Sequence, residues 1–322
     1  MLEVRTDVPG RHPLALIRHG TAATPEERAQ VTPWRLLPQA LWFARRGYVA
    51  LVIVRRGYGH SGGEIDGRQG GCGNRGSFTD AAEAGADDLG AAARYAVKRP
   101  DIDSATIISL GVSTGGLVQA ALSAHPIPGL KAAISFAGGR GGDGKGHNCN
   151  LDGLLSAFRG FGKHNQVPML WIYAEKDHWF PADMAKRFDE AFKKGGGNDE
   201  FVMVPPDGED GHHFFGHVAK WSPIVEGYLR RQNLLPLKNE VLAPPTLPNV
   251  SVPTGLPDSG VAAFHQFLAN GPFKAFASNG AEAWGYSTGQ FTQAIADHEA
   301  VESCKRKDNG SGACRVIKRG PQ

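Results

Sequence analysis

The sequence lacks several features that would place it in a specialised class of protein. It has no run of about 18 apolar residues, so it predicts no transmembrane helix. Charge of one sign is not in excess, since 35 Lys and Arg stand against 32 Asp and Glu and the net charge is +3 at pH 7. Because these charges are mixed along the chain, they indicate neither a nucleic acid nor an acidic surface as partner. Hydrophobic residues make up 41% of the 322 residues, which is enough for a large core.

Cysteine is also scarce, with four residues in the chain, and none lies in a Cys-x-x-Cys pair of the kind that binds zinc. No metal site is therefore predicted. Cys304 and Cys314 flank a polar loop and are expected to close a small disulfide hairpin. Cys72 and Cys149 each lie in a Gly-rich loop after a predicted strand, and we take Cys72–Cys149 as the second disulfide.

An even number of cysteines that pair in this way indicates an oxidising compartment, and we expect a secreted or periplasmic protein. The alternative is four free thiols in a cytosolic protein. Residues Met1–Val4 carry no signal peptide and lead almost directly into a predicted strand. Our interpretation is a mature form whose leader was removed and replaced by an initiator Met.

Residues 1–233 alternate between two sequence patterns. Short apolar runs rich in β-branched residues predict strands at Leu14–Ile17, Val49–Val54, Thr106–Leu110, Ala132–Phe136, Met169–Tyr173 and Phe201–Val204. Helical patterns lie between and after these runs, at Trp34–Arg46, Asp80–Lys98, Gly115–Ala124, Leu151–Phe161, Ala182–Lys194 and His217–Gln232. Repeated strand–helix units predict the α/β class, with a mostly parallel, doubly wound sheet that is covered by helices.

The composition changes after residue 233. Residues 234–258 contain six prolines and no period, which is typical of an extended connector. Residues 259–322 hold two helical patterns, an aromatic patch and the Cys304–Cys314 loop. This predicts a small C-terminal domain that needs its disulfide, or docking, for stability.

The pattern Gly-x-Ser-x-Gly occurs three times, around Ser61, Ser113 and Ser287. As a nucleophile elbow, this pattern requires a strand directly before the serine and a helix directly after it. Ser113 meets both requirements, because it follows the apolar run Ser104–Leu110 and precedes a helical pattern. Six residues separate Ser61 from its strand and many glycines follow it, whereas Ser287 has no apolar strand before it. We therefore predict Ser113 as the nucleophile, with a structural turn serine as the alternative.

A serine nucleophile needs a base and an acid, which follow in the order serine, acid, histidine when the serine lies on such an elbow. Asp177 follows the strand Met169–Tyr173 and is the predicted acid; Glu175 is the competitor, and a surface turn residue is the other interpretation of Asp177. The predicted base lies after the strand Phe201–Val204, where His212 is favoured over the adjacent His213. Asp207, Glu209 and Asp210 match no Ca²⁺ loop and are interpreted as a solvated loop.

The developing oxyanion needs two backbone N–H donors. We assign these to Thr114, directly after the nucleophile, and to Thr21, in the loop after the strand Leu14–Ile17. His19 in the same loop is a candidate substrate contact, although a structural role is favoured over a catalytic one. Trp179 and Phe180, just past the acid, are predicted to wall the substrate pocket; the alternative is that both rings pack beneath the loop.

Together these motifs resemble the α/β-hydrolase superfamily over residues 1–233, and most closely its dienelactone-hydrolase-like and related esterase branches. The matching segments are His19-Gly20, Arg56–Gly63 (RGYGHSGG), Gly111–Gly116 (GVSTGG), Asp177 and Gly211-His212. The resemblance implies a Ser113–Asp177–His212 triad that hydrolyses esters, and a structural role for the loop of Ser61. Residues 259–322 faintly resemble small disulfide-bearing secreted domains, from which no function follows.

The predicted function is therefore a serine carboxylic-ester hydrolase that works through an acyl-enzyme and requires no cofactor. The short Gly-rich loop before the pattern Leu151–Phe161 leaves no room for a lid, so we expect an open site. Aromatic walls would suit aryl or bulky esters, such as phenolic esters or polyesters. The alternatives are a peptidase or acyltransferase with the same triad, and a binding protein that kept the fold without catalysis.

Overall fold

The computed structural model describes residues 1–22, 24–65, 77–237, 241–244, 249–308 and 313–320. The chain forms two compact units. The first comprises Met1–Ala23 and Gln39–Leu242, and the second comprises Thr24–Pro38 and Ala243–Gln322. The segment Thr24–Pro38 thus belongs to the second unit, although the sequence pattern placed it inside residues 1–233.

The strands are β1 (Leu2–Val4), β2 (His12–Arg18), β3 (Val49–Ile53), β4 (Ile102–Val112), β5 (Leu130–Phe136), β6 (Met169–Ala174), β7 (Asp199–Val204), β8 (Ala275–Ser278), β9 (Trp284–Ser287) and β10 (Arg315–Arg319). The α-helices are α1 (Pro25–Ala29), α2 (Leu37–Ala44), α3 (Ser77–Ala96), α4 (Thr114–Ala124), α5 (Leu151–His164), α6 (Ala182–Gly195), α7 (Val218–Arg231), α8 (Asp258–Ala269) and α9 (Gln293–Lys305). Two 3₁₀-helices span Pro33–Leu36 and Gly211–Gly216.

The sheet of the first unit has, among the described residues, seven strands in the order β1-β3-β2-β4-β5-β6-β7. β1 runs antiparallel to β3, and every other neighbouring pair is parallel. This confirms the predicted α/β class and the mostly parallel sheet. Because parallel strands end at a shared edge, the residues that follow β2, β4, β6 and β7 meet there.

Helices cover both faces of this sheet. Side chains alternate between the faces of a strand, so Ala133 and Phe136 of β5 point in opposite directions. Ala133 packs in a core with aromatic side chains from α5 and α6, including Phe158 and Phe188. Phe136 instead contacts Trp221 of α7, with ring centroids 5.5 Å apart. Burial on both faces explains why the strands appear as continuous apolar runs in the sequence.

The second unit has its own antiparallel sheet, in which three described strands take the order β10-β8-β9. Ala275 and Ala277 of β8 pack against α9, and Phe276 points to the other face, where its ring lies 5.2 Å from that of Phe264 in α8. The Thr32 hydroxyl donates a hydrogen bond to the Gly289 carbonyl. That bond ties the segment Thr24–Pro38 to the rest of the unit.

The Cys304–Cys314 disulfide is present, which confirms this predicted pair. It connects the end of α9 to the segment before β10, so it closes a helix–strand connection and not the hairpin that we expected. Cys149 is disulfide-bonded as well. Its predicted partner, Cys72, lies outside the described residues. In the part of the chain that the structure covers, no helix is long and apolar enough to cross a membrane.

Candidate active site

The strand-to-helix turn at Ser113 has the geometry of a nucleophile elbow. β4 ends at Val112 and α4 begins at Thr114, so Ser113 alone makes the turn. Its backbone adopts φ 58° and ψ −122°, a conformation that residues other than glycine rarely adopt. The Ser113 N–H donates to the Phe136 carbonyl (2.9 Å), which fixes this strained turn against β5.

The glycines of the motif are required by close backbone contacts. A Cβ atom at Gly111 would lie 2.4 Å from the Gly115 carbonyl oxygen. One at Gly115 would lie 2.8 Å from the carbonyl oxygens of Arg18 and His19. Larger residues would therefore push the turn away from β4 and from the loop after β2. A Cβ at Gly20 would also come within 2.9 Å of the Ser113 Cβ, so this loop lies directly against the candidate nucleophile.

The other two serines have structural contacts. The Ser61 hydroxyl donates to the Val54 carbonyl (3.1 Å), and its N–H donates to the Tyr58 carbonyl (2.9 Å). These bonds close the turn that follows β3. Ser287 is the last residue of β9, is buried, and its Oγ accepts a hydrogen bond from the Gln290 side chain at 2.8 Å.

The predicted acid lies in the turn directly after β6. Asp177 Oδ1 accepts the N–H groups of Trp179 (2.8 Å) and Phe180 (2.9 Å), so the turn holds its own carboxylate in place. The side chain of Asp177 is fully buried. Its competitor, Glu175, is exposed.

The structure brings His212 to Asp177 and leaves His213 outside. His212 lies in the 3₁₀-helix Gly211–Gly216, and its Nδ1 is 3.0 Å from Asp177 Oδ2 and 3.1 Å from Oδ1. Because a carboxylate only accepts hydrogen bonds, Nδ1 carries the proton and Nε2 keeps a lone pair that can accept one. The His212 side chain is 11% exposed, whereas that of His213 is 75% exposed and points toward Asp210, with Nδ1 3.9 Å from Oδ2.

A series of short contacts leads from Ser113 to His212. The Gly139 N–H donates to the Ser113 carbonyl (3.1 Å), and a Cβ at Gly139 would lie 2.6 Å from the Phe180 ring. The Phe180 and His212 rings are 5.6 Å apart between centroids. Phe180 is 1% exposed and also contacts Phe188, so its ring lies beneath the turn and supports His212. Trp179 is half-buried and lies 5.7 Å from His212, where its free surface borders the site.

On the other side of Ser113, a buried arginine connects the two predicted oxyanion-binding residues. Arg55 Nη1 donates to the hydroxyls of Thr21 (3.0 Å) and Thr114 (2.8 Å), which also lie 3.0 Å from each other. The backbone N–H of Arg55 donates to His19 Nε2 (3.1 Å). His19 Nδ1 must then carry the proton, and it donates to the Gly20 carbonyl (2.7 Å). His19 therefore stabilises the loop after β2.

Sequence reasoning did not identify Arg55. It precedes the quoted Arg56–Gly63 motif by one residue, and its contacts involve loops more than thirty residues away in each direction. A basic residue directly after a fully buried parallel strand was the available signal. Such a residue enters the edge of the sheet where the site lies.

The interpretation of Asp207, Glu209 and Asp210 as a solvated loop is wrong for Asp207 and Asp210, whereas Glu209 is exposed. Asp207 is 5% exposed and accepts hydrogen bonds from the side chains of His217 and Lys220. Burial disfavours its ionised form, but these two donors outweigh burial and lower the pKa of Asp207. Asp210 is mostly buried as well, and the N–H groups of His178 and His212 similarly lower its pKa against the effect of burial. Among the described residues, no three His, Cys, Asp or Glu side chains converge as a metal site.

Comparison with known proteins places these features in a family. The family model described as the dienelactone hydrolase family matches residues 38–222. No curated protein matches the sequence. Among solved structures, esterase 2 of Thermogutta terrifontis has a TM-score of 0.51 at 18% identity, over 73% of this chain and 89% of that one. This likeness supports the α/β-hydrolase fold.

Two further structures are similar at lower scores. A Pyrococcus furiosus esterase gives a TM-score of 0.47 at 15% identity, over 72% of this chain and 90% of its own. The acylaminoacyl peptidase of Pyrococcus horikoshii gives 0.48 at 18% identity, over 71% of this chain and 39% of its own.

Proposed function

The chain belongs to the dienelactone hydrolase family, and from this premise we propose that it is a serine esterase that cleaves carboxylic esters through an acyl-enzyme on Ser113. One observation carries the proposal. A serine held at φ 58° between β4 and α4 is followed, at the same edge of the sheet, by a buried aspartate in contact with a histidine. Family membership makes the chain a hydrolase, and the roles of the individual residues are our proposal.

In the proposed first step, His212 Nε2 removes the proton of the Ser113 hydroxyl while Oγ attacks the ester carbonyl carbon. Asp177 holds Nδ1–H and stabilises the imidazolium that forms. The N–H groups of Thr21 and Thr114 donate to the oxyanion of the tetrahedral intermediate. Its collapse breaks the C–O bond of the ester, and the imidazolium gives its proton to the leaving alcohol.

In the second step, water attacks the acyl-enzyme. His212 removes a proton from this water, and a second tetrahedral intermediate collapses to release the carboxylic acid. The proton then returns to Ser113 Oγ, so the enzyme is regenerated and the overall reaction is hydrolysis of one ester bond.

We propose aryl or bulky esters, including phenolic esters or polyesters, as the substrate class. Two features support this. The free surface of Trp179 borders His212 and offers an aromatic wall. The connection between β5 and α5 contains no helix in residues 137–150, all of which the structure describes, so no lid is inserted there. His19 and Phe180 act as supports of the two catalytic loops in this proposal.

We also propose that the protein is located in an oxidising compartment. The Cys304–Cys314 disulfide and the bonded state of Cys149 support export to an oxidising environment, either secreted or periplasmic.

Turnover of p-nitrophenyl esters beside a panel of peptides tests the activity. We expect ester hydrolysis and little peptide cleavage, and we expect Ser113→Ala or His212→Ala to lower kcat by about 10⁴- to 10⁶-fold with the fold retained. Ser61→Ala and His213→Ala are the matched controls and should keep most of the activity. Full ester turnover by a folded Ser113→Ala variant would refute the proposal, as would a preference for peptides.

A further inference from the structure

The turn that carries Asp177 and the turn that carries His212 are in direct backbone contact. The Gly211 N–H donates to the Lys176 carbonyl (3.1 Å). A Cβ at Gly211 would lie 2.4 Å from the Glu175 carbonyl oxygen, so only glycine allows the turns to come this close. The relative position of acid and base therefore depends on what holds these two turns together.

One carboxylate oxygen bridges them. Asp210 Oδ1 accepts the backbone N–H of His178 at 3.0 Å and the backbone N–H of His212 at 2.9 Å. His178 directly follows the proposed acid, and His212 is the proposed base. The two accepted hydrogen bonds thus anchor one backbone atom from each turn to the same oxygen.

The two hydrogen bonds connect residues at very different separations along the sequence. The bond from His212 is local, because Asp210 is the N-cap of the 3₁₀-helix Gly211–Gly216. The bond from His178 crosses between segments 32 residues apart in the sequence. A stable cap would need the first alone, so the second indicates a function beyond capping.

The surroundings keep the carboxylate in place and charged. The Asp210 side chain is 16% exposed, and the N–H groups that it accepts hold its pKa below the ordinary value despite burial. Its second oxygen, Oδ2, faces the exposed rings of His178 and His213, with Nδ1 atoms at 3.7 Å and 3.9 Å. Asp177 is the neighbouring acidic group, in the turn that follows β6.

We propose that Asp210 is a positioning residue that sets the distance and orientation of His212 relative to Asp177 by bridging their two turns. The inference rests on the proposed function, because it assigns Asp210 to the same catalytic pair. Asp210 touches neither substrate nor reacting atoms; it acts through the backbone of His178 and His212.

Two variants separate bridging from capping. Serine can accept the local N–H as an N-cap but is too short to reach His178 as well, whereas asparagine keeps an acceptor oxygen at the same reach. We expect Asp210→Ser to lower kcat for a p-nitrophenyl ester by about tenfold to a hundredfold, because a small misplacement of catalytic groups has that effect. KM should stay within about twofold. Asp210→Asn should restore most of kcat, since it keeps both accepted bonds.

Asp103→Ala is the matched control. Asp103 Oδ1 also accepts a backbone N–H, that of Ala105 at 3.0 Å, near the amino end of β4, which is the opposite edge of the sheet. This variant should keep wild-type kcat. Thermal unfolding of all variants shows whether a loss of kcat merely follows a loss of stability.

Wild-type kcat in a folded Asp210→Ser variant would overturn the inference, as would a change confined to KM. An Asp210→Asn variant as impaired as Asp210→Ser would also contradict it, because charge and not bridging would then be the cause. Failure of the proposed function looks different: the wild-type protein itself would show no ester turnover. The two failures are therefore distinguishable in one assay.

Discussion

At the scale of single residues, the proposed chemistry depends on side chains that fix other groups. Ser113, Asp177 and His212 are each held by neighbours: the first by a bond to β5, the second by its own turn, and the third by Asp177 and Asp210. Arg55 has the corresponding role beside the proposed oxyanion donors, because it donates to the hydroxyls of both Thr21 and Thr114. Backbone N–H groups that are already in place stabilise a developing oxyanion, because they need no rearrangement during the reaction.

Replacement of Arg55 by methionine should lower kcat for ester hydrolysis by about tenfold to a hundredfold. The two threonine hydroxyls would lose their shared donor, so the loop after β2 and the start of α4 would be held together less firmly. The kcat of Arg55→Lys should fall between those of the wild type and Arg55→Met. Its ammonium can donate to both hydroxyls, as Arg55 Nη1 does, but it lacks the fixed plane of the guanidinium. Steady-state kinetics measures the effect.

Arg56→Met is the control for that experiment. Arg56 pairs with Asp88 at 2.6 Å on the neighbouring helix α3 and makes no described contact with Thr21 or Thr114. It should keep wild-type kcat. An Arg55→Met enzyme with unchanged kcat would show that the loop after β2, which holds Thr21, and the turn at Ser113 keep their positions without Arg55.

Sequence reasoning identified the residues that carry the recognisable motifs and missed those that position them. Ser113, Asp177 and His212 stand at fixed places after apolar strands, so the order of strands predicts them. Arg55 and Asp210 have no such pattern, because their contacts arise only when distant loops meet. Asp210 was interpreted as solvated because three acidic residues in four positions are typical of a surface loop.

At the scale of elements, β2 to β6 were predictable because they contain runs of residues that are buried on both faces of the sheet. The strands β8 and β9 were not predicted: each has four residues, and they alternate small and aromatic side chains in place of β-branched ones. Helix α5 was predicted, but its close approach to α6 was not. That approach depends on Gly162, whereas Gly160 in the same helix faces open space.

Gly160 and Gly162 of α5 should respond oppositely to alanine. Nothing lies within 4 Å of a Cβ at Gly160, so Gly160→Ala should raise the free energy of unfolding by about 0.5–1 kcal/mol through helix propensity. A Cβ at Gly162 would lie 2.0 Å from the Phe192 carbonyl oxygen of α6, so Gly162→Ala should lower it by about 1–3 kcal/mol. Urea unfolding of both variants provides the comparison. Equal effects would mean that α5 and α6 do not pack in this way.

A buried carboxyl group between β7 and α6 predicts a dependence of stability on pH. Burial raises the pKa of Asp199 to about 8, with a further contribution from Asp189 on α6 and an opposing one from Lys193. The nearby Tyr173 hydroxyl is buried too, and burial raises its pKa. A carboxyl group with a raised pKa stabilises the fold at low pH, and that contribution is lost as the pH rises toward about 8.

Asp199→Asn should therefore remove part of the loss of stability between about pH 4 and pH 8, because the amide cannot ionise. The difference in free energy of unfolding, variant minus wild type, should grow with pH over this range and level off above it. Urea unfolding at several pH values measures the difference. A constant difference across the range would contradict a raised pKa at Asp199.

At the scale of the whole molecule, the chain combines a family hydrolase unit with a second unit that is built from separate segments. The first unit takes the α/β-hydrolase fold and was predictable from the alternation of strands and helices. The segments that make up the second unit could not be predicted in full. Thr24–Pro38 joins this unit through contacts such as that of Thr32 with Gly289, which is 257 residues away. No short-range pattern in a sequence carries information on such a contact.

The disulfides offer a test at this scale. Thiol counting in denaturant without reductant should find no free cysteine, and counting after reduction should find four. Reduction should destabilise the second unit by about 2–3 kcal/mol, because it releases the loop closed by Cys304 and Cys314. Four free thiols in the unreduced protein would favour the cytosolic alternative over export.

The central claim is that Ser113 is an activated nucleophile, and covalent labelling tests it most directly. A fluorophosphonate reacts with a serine whose proton is removed by a neighbouring base, and mass spectrometry of the digested protein identifies the modified residue. We predict stoichiometric label on Ser113, with strongly reduced labelling in His212→Ala. Label on Ser61 or Ser287, or an unlabelled folded protein, would contradict the account.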